Sequence, residues 1–256
     1  MAPFDHLRYD VADSIATISM CREPVNAINV ALIEELLEAF RMAGNDTAVR
    51  SVILRSDLDR AFSAGVDLDM ARDMTGEDHR RFQERLYFEY HSVHHRLETP
   101  TVAAIEAPAV AGGVTLAIFC NCLVIAEDAE FGYPEIDVGH IPGSHFGPLP
   151  RLVGRHKAFE LLFSGEPITG AEAADLGIAN HAVPAGAVDG RARELAETFA
   201  AKPPDIMAYA HRAFMQHVDE GRRRELGHAR DLSDFITYLE ESRAARDSYF
   251  EPDDSD

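Results

Sequence analysis

The sequence is poor in positive charge, poor in cysteine and without a long apolar run. Its 256 residues include 24 lysines and arginines against 44 aspartates and glutamates, which gives a formal net charge of −20. A charge of this sign and size repels nucleic acid and anionic membranes, so we expect neither as a partner. A small anionic ligand remains compatible with it, because salt screens a distant acidic surface beyond about 8–10 Å.

The few cysteines and the short apolar runs exclude two further classes of protein. Cys21, Cys120 and Cys122 form an odd set without the spacing of a secreted disulfide framework. No apolar run approaches the roughly 20 residues of a membrane span. The first residues, Met1 to His6, lack the charged and apolar regions of a signal peptide. We therefore expect a globular, cytoplasmic protein.

Hydrophobic periodicity predicts an α/β protein. Two short strands flank an Asp13-Ser14 turn, and later apolar runs predict strands at 49–54, 101–105, 123–126 and 177–184. Amphipathic patterns predict helices after a cap at Asn29 and over 78–98, 151–163, 186–201, 204–217 and 222–250. We expect the last of these helices to be interrupted near Asp231.

Two small-residue loops and one carboxylate are candidate site features. Gly112 and Gly113 stand where a loop gives way to a helical pattern, so backbone can approach a ligand and free N–H groups can face negative charge. The loop Phe62 to Leu68 comes after a predicted strand, on the side where ligands bind in open α/β sheets. Glu135 follows the rigid Pro134. Taken singly, these features are better explained by helix packing, a plain turn and an acid in a helical first turn.

Histidine and serine patterns suggest two other kinds of site, and the sequence argues against both. His91, His94 and His95 suit one helical face, but no carboxylate or thiol ligands stand at useful spacing, so we expect no metal. Gly143 directly precedes Ser144, so the Gly-x-Ser-x-Gly elbow of serine hydrolases is not met.

The order of four motifs resembles the crotonase superfamily, also called the enoyl-CoA hydratase/isomerase family. The resemblance extends from about Tyr9 to Pro184. Each motif is short, and their shared order and spacing carry the resemblance. The motifs are Pro24-Val25-Asn26-Ala27-Ile28, Phe62-Ser63-Ala64-Gly65-Val66-Asp67-Leu68, Ala111-Gly112-Gly113 with Leu116-Ala117, and Phe131-Gly132-Tyr133-Pro134-Glu135 through Gly139 and Pro142-Gly143.

The resemblance implies a fold and an assembly. The fold would be an α/β spiral of repeated ββα units followed by C-terminal helices that make homotrimers, often paired into hexamers. Residues 1–200 would form the spiral core with the acyl-CoA site, and residues 201–256 a helical oligomerisation region with an acidic tail. The substrate would be an acyl-CoA thioester of fatty acid metabolism, with no separate cofactor because coenzyme A is part of the substrate.

The resemblance also implies the residues of the site. The backbone N–H groups of Val66 and Gly112 would form an oxyanion hole, which stabilises the thioester enolate in a low-dielectric site. The coenzyme A moiety would contact the two loops and the second glycine, at Val25, Ala27, Ala64, Asp67, Leu68 and Gly113.

The acid–base residues decide the reaction. Hydratases of this family use two glutamates; here the second is Glu135, but Thr115 stands in place of the first. A threonine hydroxyl cannot act as a base near neutral pH, whereas one carboxylate can move a proton between two carbons. We therefore predict that Glu135 catalyses Δ3-to-Δ2 enoyl-CoA isomerisation.

Three alternatives stay open. Glu135 with a water held by Thr115 would give an enoyl-CoA hydratase. The stretch after Glu135 is one residue shorter than the usual family form and contains His140 and His145, of which either could supply an acid for hydrolysis or decarboxylation. A scaffold that binds acyl-CoA without catalysis is the third, because a fold does not fix a function.

Overall fold

The structure is a computed structural model that describes residues 4–218, 221–236, 239–241, 244–245 and 248. The strands are β1 (Leu7–Ala12), β2 (Ile15–Met20), β3 (Ser51–Ser56), β4 (Thr101–Ile105), β5 (Ala109–Val110), β6 (Cys122–Ala126), β7 (Glu130–Gly132), β8 (Ile168–Thr169) and β9 (His181–Val183). The helices are α1 (Val30–Asn45), α2 (Leu68–Asp73), α3 (Gly76–Gln83), α4 (Tyr90–Arg96), α5 (Gly112–Ile118), α6 (Pro148–Val153), α7 (Arg155–Ser164), α8 (Gly170–Asp175), α9 (Val188–Ala200), α10 (Pro204–Val218) and α11 (Arg222–Ile236). A π-helical segment (Glu84–Glu89) joins α3 to α4, and two 3₁₀ helices follow β7 (Pro134–Ile136 and Gly143–His145).

The first elements form as the sequence predicts. Asp13 and Ser14 both have positive φ, which gives a turn whose twist matches the antiparallel hairpin of β1 and β2. Asn29 caps α1, because its side chain accepts a hydrogen bond from the Leu32 N–H group. The apolar face of α1, which includes Phe40, is buried in the core.

One large sheet supplies most of the core. Its strand order is β1-β2-β3-β4-β6-β9, with parallel pairing throughout except between β1 and β2. Every residue of β4 is buried, as expected for a parallel strand covered on both faces, and α9 packs along β3, β4 and β6. The later predicted strands correspond to β3, β4, β6 and β9.

After a strand of the large sheet, the chain crosses to a second layer and then enters a helix. In this layer Ile28 pairs with Val66 and Ser63 with Ala109, and β5, β7 and β8 continue the pairing. The chain leaves the layer into α1, α2, α5 and the first 3₁₀ helix in turn. This repeated course is the predicted spiral of ββα units, and the prediction of fold is confirmed.

Three helix predictions need correction. The helix predicted at 78–98 is α3 and α4 joined by the π-helical segment. The helix predicted at 151–163 is wrong as one element, because Gly154 has φ +78° and separates α6 from α7. The predicted break near Asp231 is also wrong, since α11 continues through this residue. The Asp231 carboxylate accepts a hydrogen bond from the Arg230 guanidinium at 3.0 Å, and an aspartate engaged in this way does not compete for backbone N–H groups of the helix.

The C-terminal helices pack on earlier helical elements of the chain. α10 contacts α4, while α11 contacts α3, the π-helical segment and the second 3₁₀ helix. Most of the predicted helix after Ile236 and the predicted acidic tail lie outside the described residues. Among the helices that the structure describes, none has the length and apolarity that crossing a membrane requires.

His94 lies in the core. Its ring packs against Phe40 and Tyr90, with centroids at 4.3 and 4.4 Å, and its Nδ1 atom is 3.0 Å from the Tyr90 carbonyl oxygen. Burial lowers the pKa of His94 to about 4 from its ordinary 6.5. Within the described ranges, no three histidine, cysteine or acidic side chains are grouped to hold a metal ion.

The buried His94 predicts a loss of stability in acid. The unfolded chain protonates this imidazole near pH 6.5 and the folded chain only near pH 4, so protons favour unfolding over that window. We expect about 3 kcal/mol of unfolding free energy to be present above pH 6.5 and lost by pH 4. Urea unfolding at several pH values should show that the unfolding free energy of His94→Gln varies less with pH than that of the wild type. Substitution of the exposed His217 by glutamine is the control, and an equal slope for all three proteins would contradict the assignment.

Candidate active site

The two loops of the first two motifs run side by side and are joined through their backbones. The Ala64 N–H donates to the Val25 carbonyl at 3.0 Å. The Ile28 N–H donates to the Gly65 carbonyl at 2.7 Å, and the Asp67 N–H returns to the Ile28 carbonyl at 3.0 Å. The structure thus brings together the loops expected to flank coenzyme A.

Asn26 is the polar centre of this junction. It is fully buried at a positive φ of 49°, a conformation that asparagine tolerates better than most residues. Its amide oxygen accepts from the Arg22 N–H at 2.8 Å, and its amide nitrogen donates to Ser56 Oγ at 2.8 Å and to the Phe62 carbonyl at 3.1 Å. The hydroxyl of Ser63 donates to the Asn26 carbonyl at 2.7 Å. The role of Asn26 could not be predicted from the sequence, because its only local signal is its place after Pro24-Val25.

Arg22 joins the two loops from outside. Its guanidinium donates to the Ala27 carbonyl and to Asp67 Oδ2, each at 2.7 Å. The other carboxylate oxygen of Asp67 accepts from the Met70 N–H and caps α2. Asp67, expected to contact coenzyme A, thus has both carboxylate oxygens engaged within the protein, while Ala64 is exposed and Val25, Ala27 and Leu68 are partly exposed.

Val66 and Gly112 present neighbouring backbone N–H groups. A Cβ atom placed on Gly112 would lie 3.3 Å from the Val66 nitrogen, so the two backbones are in contact. Gly112 is the first residue of α5, where N–H groups have no intrahelical partner, and no hydrogen bond joins either N–H to another residue in the part of the chain that the structure describes. The preceding Ala111 has φ +50°, a strained conformation of the kind found at functional sites. This pair can hold an oxyanion.

Gly113 has a packing role. A Cβ atom there would lie 2.3 Å from the Ser63 carbonyl oxygen, so only glycine lets α5 pack on the loop that carries Val66. Gly113 was expected to contact coenzyme A, and the structure shows that it contacts the backbone of Ser63.

Glu135 is the carboxylate of the site. It lies in the first 3₁₀ helix, and its buried Oε2 atom has no hydrogen-bond partner among the described residues. Burial raises the pKa of Glu135 from 4.5 to about 7. A carboxyl with this pKa can accept and return a proton at neutral pH.

Two tyrosines lie within reach of the charge of Glu135. Burial first, and the Glu135 carboxylate second, raise the pKa of the Tyr87 and Tyr133 hydroxyls, so both remain protonated hydrogen-bond donors. Tyr87 stands on the π-helical segment, a feature frequent at functional sites. Neither tyrosine could be predicted from the sequence, because Tyr87 stands at an apolar position of a helical pattern and Tyr133 at a variable position of its motif.

Thr115 and His145 form a buried pair. Thr115 Oγ1 lies 3.1 Å from His145 Nε2, and the two residues are 1% and 0% exposed. The second 3₁₀ helix thus brings His145 against Thr115 of α5. His140 lies further out; its N–H donates to the Glu135 carbonyl at 2.8 Å, and its ring lies 5.9 Å from that of His79.

A ββα spiral with paired N–H donors and a buried carboxylate defines a class of acyl-CoA enzymes. The profile of the enoyl-CoA hydratase/isomerase family matches residues 10–255. The chain therefore belongs to this family, the crotonase superfamily, and is an enzyme of the hydratase/isomerase class.

Individual relatives agree with this assignment. A probable enoyl-CoA hydratase of Bacillus subtilis (strain 168) is 38% identical over 204 residues, which cover 76% of each chain. The crystal structure of a probable enoyl-CoA hydratase from Mycobacterium smegmatis superposes with a TM-score of 0.82 at 32% identity, over 91% of this chain and 94% of that one. An enoyl-CoA hydratase/isomerase from Xanthobacter autotrophicus Py2 gives a TM-score of 0.85 at 27% identity, over 98% and 100%.

Proposed function

We propose that the protein isomerises Δ3-enoyl-CoA thioesters to Δ2-enoyl-CoA thioesters with Glu135 as the proton carrier. The observation that carries this proposal is the carboxylate of Glu135, whose Oε2 atom is buried and whose pKa is raised to about 7, while Thr115 stands at the position of the second acid and contacts His145. One carboxylate suffices when the proton that leaves one carbon is returned to another.

The proposed reaction has two proton transfers. Glu135 removes a proton from C2 of the Δ3 thioester, and the resulting negative charge moves to the thioester oxygen. The N–H groups of Val66 and Gly112 stabilise that oxygen, since preorganised donors in a buried site act most strongly where charge develops. Glu135 then returns the proton to C4, which leaves the double bond between C2 and C3.

The same proposal assigns functions to the loops beside the site and to the two parts of the chain. Coenzyme A would lie along the paired loops, in contact with exposed backbone and side chains at Val25, Ala27, Ala64 and Leu68. Residues 1–200 would act as the acyl-CoA-binding core and residues 201–256 as the trimerisation region, alone or in a dimer of trimers. We place the enzyme in the cytoplasm and in fatty acid metabolism.

Hydration of Δ2-enoyl-CoA is the second candidate function. Relatives named as probable enoyl-CoA hydratases favour it, and the Thr115 hydroxyl offers an oxygen that could hold a water. In this candidate Glu135 would take a proton from the water and give it to C2.

A parallel assay separates these functions. The purified protein is offered trans-3-enoyl-CoA and trans-2-enoyl-CoA of one chain length, and products are quantified together with released coenzyme A. We expect isomerisation of the first thioester to be the faster reaction. Hydration alone would contradict the isomerase proposal, release of coenzyme A would indicate a hydrolase, and binding without turnover would indicate a scaffold.

A further inference from the structure

Tyr133 carries a hydroxyl that the protein buries and leaves without a hydrogen-bond partner. The residue is 1% exposed, and no donor or acceptor among the described residues lies within hydrogen-bond distance of its Oη atom. Burying a hydroxyl in this state is unfavourable, and native proteins pair almost all such groups with protein or ordered water. An unpaired hydroxyl beside a binding site therefore indicates that a ligand or a water completes it.

The surroundings of Tyr133 connect this hydroxyl to the catalytic pocket. Its ring meets the His145 ring nearly edge-on, with centroids 4.7 Å apart, and His145 is the partner of Thr115. Glu135, two residues along the chain, acts electrostatically on the hydroxyl and has its own buried oxygen without a partner. The Tyr133 hydroxyl is an unpaired donor and Glu135 Oε2 an unpaired acceptor in the same turn, so a small hydroxylic molecule such as water could form a hydrogen bond to each.

We propose that the Tyr133 hydroxyl is a further catalytic residue, which donates a hydrogen bond to the water that adds to C3 of a Δ2-enoyl-CoA. This inference rests on the proposed site of Glu135, Val66 and Gly112, and it adds hydration to the reactions of that site. Tyr133 then serves in place of the family glutamate that Thr115 replaces. Isomerisation does not use the residue, because no water takes part in it.

The bonds and protons of the hydration step balance with one carboxylate. A lone pair of the water forms the new C3–O bond, and the electrons of the C2=C3 bond move into the thioester enolate. Glu135 takes one proton from the water and gives it to C2, while the other stays on the new 3-hydroxyl group. Tyr133 keeps its proton throughout and orients the water oxygen.

The test is Tyr133→Phe, which keeps the ring and removes the hydroxyl. We expect hydration of trans-2-enoyl-CoA to fall about 3- to 10-fold, the effect of losing one hydrogen bond between neutral groups. Isomerisation of trans-3-enoyl-CoA, in which no water takes part, should fall by a smaller factor, so the ratio of hydration to isomerisation should decrease. The melting temperature should stay equal or rise, because the variant loses an unpaired buried hydroxyl.

Tyr90→Phe is the matched control. Tyr90 is equally buried, but its hydroxyl is 3.3 Å from the Leu116 carbonyl oxygen, so the substitution should lower the melting temperature and leave the ratio of hydration to isomerisation unchanged. The proposal is overturned by a wild type that hydrates no thioester, by equal losses of both reactions in Tyr133→Phe, or by no loss of hydration. Failure of the proposed function gives a different result. In that case the wild type does not isomerise trans-3-enoyl-CoA, or Glu135→Gln keeps this activity, whatever Tyr133→Phe does to hydration.

Discussion

Replacing Glu135 by glutamine is expected to abolish most of the isomerase activity and at the same time to stabilise the protein in alkaline solution. Glutamine has nearly the shape of the carboxyl group but cannot carry a proton between two carbons. We expect kcat to fall about 100- to 10,000-fold, the range for loss of a positioned acid–base group. Stopped assays on trans-3-enoyl-CoA measure this loss.

The gain in stability follows from the raised pKa of Glu135. The unfolded carboxyl ionises near pH 4.5 and the folded one near pH 7, so the folded state holds the extra proton between these values and wild-type stability falls as the pH rises through them. Glutamine removes this dependence. Between pH 5 and pH 8 we expect the unfolding free energy of Glu135→Gln to increase relative to the wild type by about 2–3 kcal/mol.

The pH dependence of activity gives an independent check on Glu135. The base form is the carboxylate, so kcat/KM of the wild type should rise with pH and level off above a midpoint of about 7. A substitution such as Glu130→Gln, at an exposed acid outside the described pocket, serves as a control. Full activity in Glu135→Gln, or a relative stability that does not vary with pH, would exclude Glu135 as the buried base.

We expect Gly112→Ala to lower the activity of the enzyme and Gly113→Ala to lower its stability. A methyl group on Gly112 would lie 3.1 Å from Ile28 Cδ1 and 3.3 Å from the Val66 nitrogen, a tight contact at the oxyanion donors. We expect a folded enzyme whose kcat is about 100- to 1,000-fold lower, the effect of losing one oxyanion donor. KM should change little, because the donors act mainly on the enolate.

A methyl group on Gly113 meets backbone instead. The Ser63 carbonyl oxygen would lie 2.3 Å away, so α5 and the loop must separate, and we expect a loss of about 3 kcal/mol or more of unfolding free energy. Gly190→Ala is the control for both, because no described residue lies within 4 Å of a Cβ atom at that position of α9. This variant should gain up to about 1 kcal/mol of unfolding free energy from helix propensity and keep full activity. Equal stability losses at Gly112 and Gly113 would contradict this assignment.

Features with local causes could be predicted from the sequence. The Asp13-Ser14 turn and the Asn29 cap depend on residues within one turn of backbone, and the structure confirms both. The proximity of Val66 and Gly112 followed from a family resemblance in the order of motifs, since each motif alone suited a plain turn or a helix start.

Features with distant causes could not be predicted. Arg22 and Asp67 are 45 residues apart, and Thr115 and His145 are 30 apart, so no local pattern indicates either contact. The π-helical segment around Tyr87 has an ordinary amphipathic sequence, and it packs against α1 and α11, which are distant from it in the chain. The sequence therefore located the backbone donors and the carboxylate better than it described the side chains around them.

The groups of the proposed chemistry belong to successive repeats of one architecture. Val66, Gly112 and Glu135 each stand where a different unit leaves the second layer and turns into a helix. If the segment between the second layer and the helix changes length in one unit, we expect the group on that segment to move and the other two groups to keep their positions. The loop after Glu135 places His145 against Thr115, while the N–H donors of Val66 and Gly112 lie next to each other. We therefore expect the proposed reaction to be alterable one unit at a time.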